Sequence, residues 1–359
     1  MDNSPRTDMS RHLILFPCGH MGNLLIALPH LKAMLDAHPQ ALLVTNARYR
    51  ELVEHSLPDE RRLLFYPEPA LAPSQPIIRR ISHYLGFVRA LRQFSADVTI
   101  DIEGEQKSAT LARLSGAAKR IGPPRRHAKW FYNDIRQAIW SAHRWHGYGS
   151  LSQPAASLPS RYLPITSSKT GQEEMQRATE RLAAGPRVLI HVGATKTYKM
   201  WHPEQFASLC QRLRRAGCVP VLIGAGQKDR SQIQRVQSFL CEPVCDLCDR
   251  LSLSGMVALM QDSQGYVGND SGPMHLAAAC RLPTIGLFGP TDDSLWAPLS
   301  ENAVVLRRQP CRSDCERSSC SLDSYPCLQS ITVDQVMQQL TRLGVLPEPT
   351  TLPIHRALY

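Results

Sequence analysis

Short, continuously apolar runs alternate with amphipathic segments along most of this chain, and this alternation constrains its fold more than any other feature. Examples are "ALLVTN" at 41–46, "DVTIDIEG" at 97–104, "RVLIHVG" at 187–193 and "CVPVLIGAG" at 218–226. Strands that lack polar alternation are buried on both faces, as parallel strands covered by helices are. The sequence therefore predicts an α/β fold built from parallel sheets.

The alternation stops and restarts once, which indicates two domains. The segment 148–170 is rich in Pro and Ser and is typical of a linker. We therefore expect two doubly wound, Rossmann-like domains, 1–165 and 166–330, that face each other across a cleft at the carboxyl ends of their strands. The last helical pattern, "TVDQVMQQLTRLGV", has no strand after it. We expect the segment 331–359, which contains this pattern, to pack back on the first domain.

Composition narrows the classes of partner. The 359 residues carry a formal net charge of +10, which indicates anionic ligands or an acidic membrane surface. The basic residues are scattered and are not interleaved with aromatic residues, which disfavours nucleic acid. No apolar run reaches the roughly 18 residues of a membrane span, and "MDNSPRTDMSRHLILFP" lacks the layout of a signal peptide. These features predict a cytoplasmic protein whose 11 cysteines are reduced or bind metal.

The densest group of chemically active side chains lies in "YVGNDSGPMHLAAAC" at 266–280. An apolar run ends at Asp270 and a helical pattern follows Ser271, so either residue is placed to cap the helix. Free N–H groups at a helix start bind anions, and Gly272 allows a ligand to approach the backbone closely. Packing requires none of Asp270, Ser271 or His275. An anion site is one interpretation, and a capped helix without a ligand is the other.

The run "NDSGPMHLAAA…PTIGLFGPTD" closely resembles the C-terminal signature of the lipopolysaccharide heptosyltransferases, glycosyltransferase family 9. In that family the Asp-x-Gly-x-x-His element lies in the donor site. The resemblance implies that Asp270 binds hydroxyls of the donor sugar and that Ser271 and Gly272 offer N–H groups to the phosphates. It places His275 in the same pocket.

A second segment, "LIHVGATKTYKMWHPEQFASL", resembles the family's strand and loop with a Lys before x-Trp. By that match Lys199 neutralises diphosphate charge, with help from Thr195 or Thr197. A cation and N–H donors can stabilise the leaving diphosphate, so no metal is required for catalysis. In "VLIGAGQKDRSQ" the family often has an acidic residue that holds the nucleoside. Here Gly226 stands at that position, and Asp229 is the nearest candidate.

The acceptor side of the resemblance lies in "DIEGEQKSATLARLSGAAKRIGPP". It matches a family stretch that contains Asp-x-x-Gly, then Lys or Arg before Ser-Ala, and an Arg-Ile-Gly turn. The match implies that Lys107 and Ser108 face an anionic, phosphorylated sugar acceptor, and that Arg120, Arg125 and Arg126 extend this basic surface. A solvated basic face is the alternative for the three arginines.

One position departs from the family pattern. In "GHMGNLLIALPHL" the family normally has Gly-Asp before the helix, and this Asp is the general base, but here the residue is Asn23. An amide cannot take a proton at useful pH, and a positioned base contributes about 10²–10⁴-fold. Glu103, Glu105 and His20 are the candidate substitute bases. The other two explanations are a weakly active or non-catalytic relative and a mechanism that needs no strong base.

Four cysteines lie within one short segment, "CRSDCERSSCSLDSYPCL": Cys311, Cys315, Cys320 and Cys327. Four thiols this close can form a tetrahedral site for zinc or iron, although the spacing lacks the usual C-x₂-C pair. Relatives in the family often carry cysteines in this region. The sequence therefore leaves two interpretations, a structural zinc or iron site and a group of reduced thiols.

The resemblance covers nearly the whole chain and implies a function. We expect an inverting glycosyltransferase of the GT-B type with a nucleotide-activated heptose, ADP-heptose, as donor. The implied acceptor is the lipopolysaccharide core, an anionic glycolipid at the cytoplasmic face of the inner membrane, with peripheral membrane contact by the enzyme. A protein acceptor with the same donor is one alternative, and a non-catalytic nucleotide-sugar-binding protein is the other. The motifs of P-loop kinases, dinucleotide-binding dehydrogenases, zinc metalloproteases and α/β-hydrolases are absent from the sequence.

Overall fold

The protein consists of two α/β units, described over residues 10–57, 62–152, 160–307 and 326–346 of a computed structural model. The strands of the first unit are β1 (His12–Phe16), β2 (Leu42–Asn46), β3 (Leu63–Tyr66), β4 (Val98–Asp101), β5 (Lys119–Gly122) and β6 (Asp134–Ile135). Its helices are α1 (Met21–Ala37), α2 (Arg50–Ser56), α3 (Ile77–Gln93), α4 (Gln106–Leu114) and α5 (Arg144–Leu151). The strands form one parallel sheet in the order β3-β2-β1-β4-β5-β6.

The second unit repeats this design. Its strands are β7 (Arg187–His191), β8 (Val219–Ile223), β9 (Cys245–Asp246), β10 (Gly265–Asn269), β11 (Thr284–Phe288) and β12 (Ala303–Arg307). Its helices are α6 (Lys169–Thr179), α7 (Pro203–Arg215), α8 (Gly226–Gln237), α9 (Leu253–Gln261), α10 (Gly272–Ala279), α11 (Asp293–Trp296), α12 (Pro326–Gln329) and α13 (Val333–Arg342). The parallel sheet has the order β12-β11-β10-β7-β8-β9. The predicted two-unit α/β fold with parallel sheets is confirmed.

Strand β1 shows why the strands read as continuous apolar runs. All five of its residues are buried. Ile14 and Phe16 point into one core together with α1, whereas Leu13 and Leu15 point into a second core together with α3 and α4. Because helices cover both faces of the sheet, neither set of alternate side chains meets water.

The two units meet through the starts of α1 and α10. A Cβ added to Gly22 would lie 2.6 Å from Cδ2 of His275, and one added to Gly272 would lie 3.1 Å from Cβ of Met21. A larger residue at either position would push the helices apart. Since α1 follows β1 and α10 follows β10, the carboxyl edges of the two sheets face each other at this contact.

The domain boundary predicted at 165 falls between α5 and α6. Helix α6 packs against α9 of the second unit. Its start is tied to that unit because the Ser168 hydroxyl lies 2.8 Å from the Ser254 hydroxyl. Within the described ranges, no helix is both long and apolar enough to span a bilayer.

The expectation that the C-terminal helix packs on the first domain is wrong for the described residues. Helix α13 packs against α7 and β11 of the second unit. Val336 and Leu340 are fully buried in the core of that unit, and Arg212 on α7 forms an ion pair with Asp334 at 2.7 Å. The apolar stripe of α13 packs on the second sheet beside α7, in the same hydrophobic core. Residues 347–359 lie outside the described residues.

Candidate active site

The start of α10 carries no side-chain cap. Ser271 is the N-cap residue, but its hydroxyl lies 3.1 Å from Nδ1 of His191 and 3.1 Å from the carbonyl oxygen of Asn269. The Asp270 carboxylate pairs with Lys199, and among the described residues no N–H group of the helix start donates to it. The expectation that one of these two side chains caps the helix is therefore wrong. Pro273 has no N–H and the Met274 N–H donates to the Ser271 carbonyl at 3.2 Å, so the Gly272 N–H and the positive end of the helix dipole are what the start of α10 offers to an anion.

Lys199 and Asp270 form an ion pair beside this helix start. Nζ of Lys199 lies 2.6 Å from Oδ2 of Asp270, and the two side chains are 20% and 7% exposed. A short 3-10 turn after β7 carries Lys199, and Asp270 follows β10, the neighbouring strand. Thr195 and Thr197 lie exposed in the loop that leads to Lys199. The pair places a cation and a hydrogen-bond acceptor next to each other at the carboxyl edge of the sheet.

A second polar chain runs through His191, which the sequence reasoning missed. Its Nε2 lies 3.1 Å from Oδ2 of Asp229, and its Nδ1 faces Ser271. Asp229 also accepts a bond from the Ala225 N–H at 2.9 Å. Burial raises the pKa of Asp229, but the hydrogen bond and charge of His191 together with the bond from the Ala225 N–H outweigh it and leave the pKa below its usual value. Asp229, predicted to contact the nucleoside, is thus held by the protein, and His191 links it to the N-cap of α10.

The Asp229 carboxylate also packs closely against Gly193. A Cβ at Gly193 would lie 1.8 Å from its Oδ1, so the glycine leaves the space that the carboxylate occupies. Gly193 stands two residues after His191 in the loop that leads to Lys199. The signal that could have identified His191 is a polar residue at the last position of a buried strand, where site residues of parallel sheets collect.

His275 is buried at the contact between the two units. Burial lowers its pKa to about 4, although the nearby Asp270 raises it. Its Nδ1 lies 2.7 Å from the Tyr162 hydroxyl, whose oxygen accepts a bond from the Leu299 N–H at 3.2 Å. Nε2 lies on the side of the ring that faces Gly22. The lowered pKa keeps the buried imidazole of His275 neutral at physiological pH, so one of its two nitrogens is a donor and the other an acceptor.

The lowered pKa of His275 predicts a pH dependence of stability. In the unfolded chain His275 binds a proton below about pH 6.5, but in the folded protein only below about pH 4. As the pH falls from 6.5 to 4, the free energy of unfolding of the wild type should therefore decrease by about 3 kcal/mol. Between pH 7 and pH 4.5 the free energy of unfolding of His275→Gln should decrease less than that of the wild type. Urea unfolding of both proteins at the two pH values measures the difference. His20→Gln is the exposed control and should behave as the wild type. Parallel curves for His275→Gln and wild type would contradict the assignment.

In the first unit, two acidic residues follow β4. Asp101 is fully buried and accepts bonds from the N–H groups of Glu103 and Gly104 and, at 2.6 Å, from the Tyr132 hydroxyl. Burial raises the pKa of Asp101 to about 6, although these bonds oppose the shift. Its bonds hold the loop in which Glu103 lies. Asp101 thus fixes the loop and leaves its own oxygens no access to a substrate.

Glu103 has the properties of a base. Burial raises its pKa to about 7, against the attraction of the Lys107 ammonium, and the neighbouring Asp101 adds to the rise. The Cys18 thiol is hydrogen-bonded to the Glu103 carboxyl group, while none of the described residues donates to its buried Oε2. The loops after β1 and β4 are neighbours because the two strands are paired. Glu103 therefore lies beside the loop that leads into α1 and Asn23.

The other base positions lack these properties. Asn23 is the third residue of α1 and is half-buried, and no described residue hydrogen-bonds to its amide. His20 is the exposed N-cap residue of the same helix, and its side chain does not cap it. Glu105 is the exposed N-cap residue of α4. Of the three candidate substitutes, only Glu103 is partly buried.

Lys107 lies on the first turn of α4 and contacts Glu68, a residue the sequence reasoning missed. Its Nζ lies 3.2 Å from Oε2 of Glu68 and 5.0 Å from the ring centre of Tyr66. Burial raises the pKa of Glu68, but bonds from Asn46 and Lys107 outweigh it and leave the pKa below its usual value. Glu68 follows β3 and Asn46 ends β2. This polar cluster extends the site along the carboxyl edge of the first sheet.

Two predicted acceptor residues lie elsewhere. Ser108 is fully buried, and its hydroxyl donates to the carbonyl of Glu105 at 3.0 Å. The guanidinium of Arg120 donates to the carbonyls of Phe131 and Ala117 at 2.9 and 2.8 Å. The expectation that these two side chains face an acceptor is wrong. Ser108 points into the core because it lies on the inner face of α4, and Arg120 serves to tie two loops together.

Arg125 and Arg126 remain on the surface of the first unit. Arg125 donates to the carbonyl of Gly104 at 3.2 Å, which attaches it to the loop that carries Glu103. Arg126 is exposed. A groove of about 430 Å³ runs beside them, lined by Pro124, Arg125, His127, Ala128, Lys129, Trp130 and Ile135. Basic and aromatic side chains in one groove suit an anionic sugar.

The proposed metal site cannot be placed. Cys311, Cys315 and Cys320 lie outside the described residues, and Cys327 is buried on α12. No group of three or more metal-binding side chains occurs in the part of the chain that the structure describes. The site remains a prediction, and elemental analysis of the purified protein should find stoichiometric zinc or iron, lost in a Cys311→Ser/Cys315→Ser variant. Substoichiometric metal in the wild type would exclude it.

Two Rossmann-like units whose sheets face each other along their carboxyl edges form the two-domain architecture of the GT-B fold. Residues 84–326 match glycosyltransferase family 9 (heptosyltransferase), and the chain belongs to this family. It is therefore a glycosyltransferase. The matched span contains Glu103, Lys199 and Asp270 but not Asn23.

Individual relatives agree with this assignment. The chain is 24% identical over 283 residues to "Lipopolysaccharide heptosyltransferase 3" of Escherichia coli, a match that covers 73% of this chain and 81% of that one. It is 28% identical over 241 residues to "Lipopolysaccharide heptosyltransferase 1" of Pseudomonas aeruginosa, covering 66% of each. The solved structure of E. coli ADP-heptose lps heptosyltransferase II superposes with a TM-score of 0.74 at 21% identity, covering 93% and 98% of the two chains. That structure supports the fold.

Proposed function

We propose that this glycosyltransferase moves a heptose from ADP-heptose to a hydroxyl group of a lipopolysaccharide core acceptor at the cytoplasmic face of the inner membrane, inverting the anomeric centre. The observation that carries the proposal is that α1 and α10 are in contact, so that charged groups of the second unit and a carboxyl group of the first unit lie on the two sides of this contact. On one side lie the ion pair of Lys199 with Asp270 and the uncapped start of α10. On the other side lies Glu103, with a raised pKa. The names of the relatives support heptose as the sugar and lipopolysaccharide as the acceptor.

On the donor side, the chain's own groups stabilise the leaving nucleotide. In the displacement, the acceptor oxygen bonds to the anomeric carbon while the bond from this carbon to the phosphate oxygen breaks and ADP leaves with the electron pair. Lys199, the Gly272 N–H and the positive end of the α10 dipole face the charge that develops on the phosphate. His275 stays neutral at physiological pH and, in the tautomer with its proton on Nε2, adds a hydrogen-bond donor on the side of Gly22. Asp270, held by Lys199, is placed to accept hydrogen bonds from sugar hydroxyls.

On the acceptor side, Glu103 takes the place of the Asp that the family has at position 23. Its half-buried carboxylate accepts the proton of the attacking hydroxyl, and a pKa of about 7 suits a base that works near neutral pH. Arg125, Arg126 and Lys107 supply positive charge around it for a phosphorylated acceptor. In the proposed mechanism Glu103 is therefore the general base, because the amide of Asn23 cannot take a proton.

The test is a transfer assay with ADP-heptose and a deacylated lipopolysaccharide core. The expected result is release of ADP together with a core that gains one heptose, detected by mass spectrometry, and NMR should show the inverted linkage. Donor binding in calorimetry without turnover on any acceptor would indicate a nucleotide-sugar-binding protein instead. Turnover on a protein acceptor but not on the core would preserve the donor and reject the glycolipid.

A further inference from the structure

Helix α3 exposes an apolar face that the fold does not explain. Eight large apolar side chains are exposed among the described residues, and four of them lie on this one helix. Ile77, Ile78, Ile81 and Leu85 are 60%, 79%, 52% and 60% exposed. Three of them stand at intervals of four residues, which places them on one stripe of the helix. A contiguous apolar surface of this kind indicates an interaction site.

The second half of α3 anchors the helix to the protein, whereas the exposed stripe lies in its first half. Phe87 and Leu91 are buried in the core formed with β1 and α4. The stripe of Ile77, Ile81 and Leu85 lies outside that core. It is therefore not a displaced part of the packing and is available to a partner.

The charge of α3 favours an anionic partner. Its 17 residues include four arginines and no acidic residue. Arg79 and Arg89 are exposed, and no acidic side chain in the described residues pairs with either. An amphipathic helix with an apolar stripe and arginines beside it is typical of helices that lie in the interface of an anionic membrane.

The position of α3 connects this face to the acceptor side of the site. The start of α3 packs against the short turn Glu68–Leu71, and Glu68 forms an ion pair with Lys107. Because α3 begins at the carboxyl edge of the first sheet, Ile77 and Ile78 lie at the same edge as the loop that carries Glu103. A surface that holds this edge against a membrane would present the acceptor loops to a lipid-linked substrate.

We propose that the exposed face of α3, formed by Ile77, Ile78, Ile81 and Leu85 with its flanking arginines, docks on the surface of an anionic lipid bilayer. The inference rests on the proposed function for the identity of the lipid-linked acceptor, but the docking itself does not require turnover. A second copy of the chain fits this face less well. A two-fold contact would bring the four arginines of each helix against those of the other.

Sedimentation with vesicles tests the proposal on the full-length protein. The wild type should bind vesicles of phosphatidylcholine with phosphatidylglycerol, and should bind more weakly at high salt or to phosphatidylcholine alone. The double variant Ile78→Glu/Ile81→Glu should bind the anionic vesicles at least about tenfold more weakly. Arg79→Gln/Arg89→Gln should lose the preference for anionic lipid. The control Phe239→Glu changes an exposed apolar residue of the second unit, 46% exposed, and should bind as the wild type.

The following results decide whether α3 docks on a membrane. Unchanged vesicle binding by Ile78→Glu/Ile81→Glu would overturn the proposal, as would a lipid-free oligomer that this variant converts to monomer in analytical ultracentrifugation. Vesicle binding that depends on α3 while no acceptor is glycosylated would support docking and reject the proposed function. With the function intact, the variant should keep its turnover on a deacylated, water-soluble acceptor and lose it on acceptor embedded in vesicles.

Discussion

Replacing Glu103 with Gln is expected to lower kcat about 10²–10⁴-fold while the KM for the donor changes little. The carboxylate is the base in the proposed mechanism, and the isosteric amide keeps its size but cannot take a proton. In the wild type, kcat should rise with pH through about 7, because the raised pKa leaves Glu103 protonated below that value. Glu103→Gln should lose this rise. Steady-state kinetics with a soluble acceptor between pH 5.5 and pH 8.5 would measure both effects, a range that brackets the pKa.

Two matched variants make the result specific. Glu105→Gln changes an exposed carboxylate two residues away and should retain wild-type activity. Asn23→Asp restores the residue that the family has at this position, so the double variant Asn23→Asp/Glu103→Gln should recover much of the lost kcat. Wild-type kinetics for Glu103→Gln would show that another group accepts the proton. Failure of the rescue, with Glu103→Gln inactive, would mean that Glu103 has a role that an Asp at position 23 cannot fill.

Replacing Lys199 with Met is expected to lower kcat/KM about 10²–10³-fold, the usual loss when one donor to a developing charge is removed. Methionine keeps the length of the side chain but removes the cation that faces the leaving diphosphate. The substitution also leaves the carboxylate of Asp270, which is 7% exposed, without its ion-pair partner. Kinetics with ADP-heptose and calorimetry with ADP alone would separate the loss in chemistry from the loss in nucleotide binding.

The loop of Lys199 offers its own control. Lys196 is exposed three residues earlier, and Lys196→Met should stay close to the wild type. The double variant Lys199→Met/Asp270→Asn removes both charges. If its thermal stability returns to the wild-type value while its activity stays low, the loss of activity belongs to the missing cation and not to an unpaired buried carboxylate. Normal activity of Lys199→Met would remove this residue from the donor site.

Most residues of the proposed donor side could be selected from the sequence, because they lie in segments between a buried strand and the next helix. Lys199, Asp270, Ser271, Gly272 and His275 all stand in loops directly after buried strands or at the next helix start. Parallel strands place such loops at one edge, so residues far apart in sequence are brought together there. The family pattern added the roles of these residues.

The sequence reasoning failed where the direction of a side chain decides its role. Ser271 was expected to cap α10 but hydrogen-bonds to His191, and Ser108 and Arg120 were expected to face an acceptor but bind carbonyls of the protein. Such orientations depend on which partner the fold places nearby. His191 and Glu68 were also missed. His191 stands in a quoted motif at the end of β7, but only the fold shows that it contacts Asp229 and Ser271.

By itself, the sequence determined the α/β class, the two units and the loops in which the donor site is proposed, because apolar periodicity and turn chemistry are local properties of the chain. Only the tertiary structure distinguished the three candidate bases, because it partly buries Glu103 and leaves His20 and Glu105 exposed. The pKa of Glu103 rises because β1 and β4 pair and bury its carboxyl group beside Cys18 and Asp101. The docking of α13 on the second unit and the exposed stripe of α3 were likewise decided by long-range packing, since an amphipathic pattern shows that a helix has an apolar face but not what that face contacts.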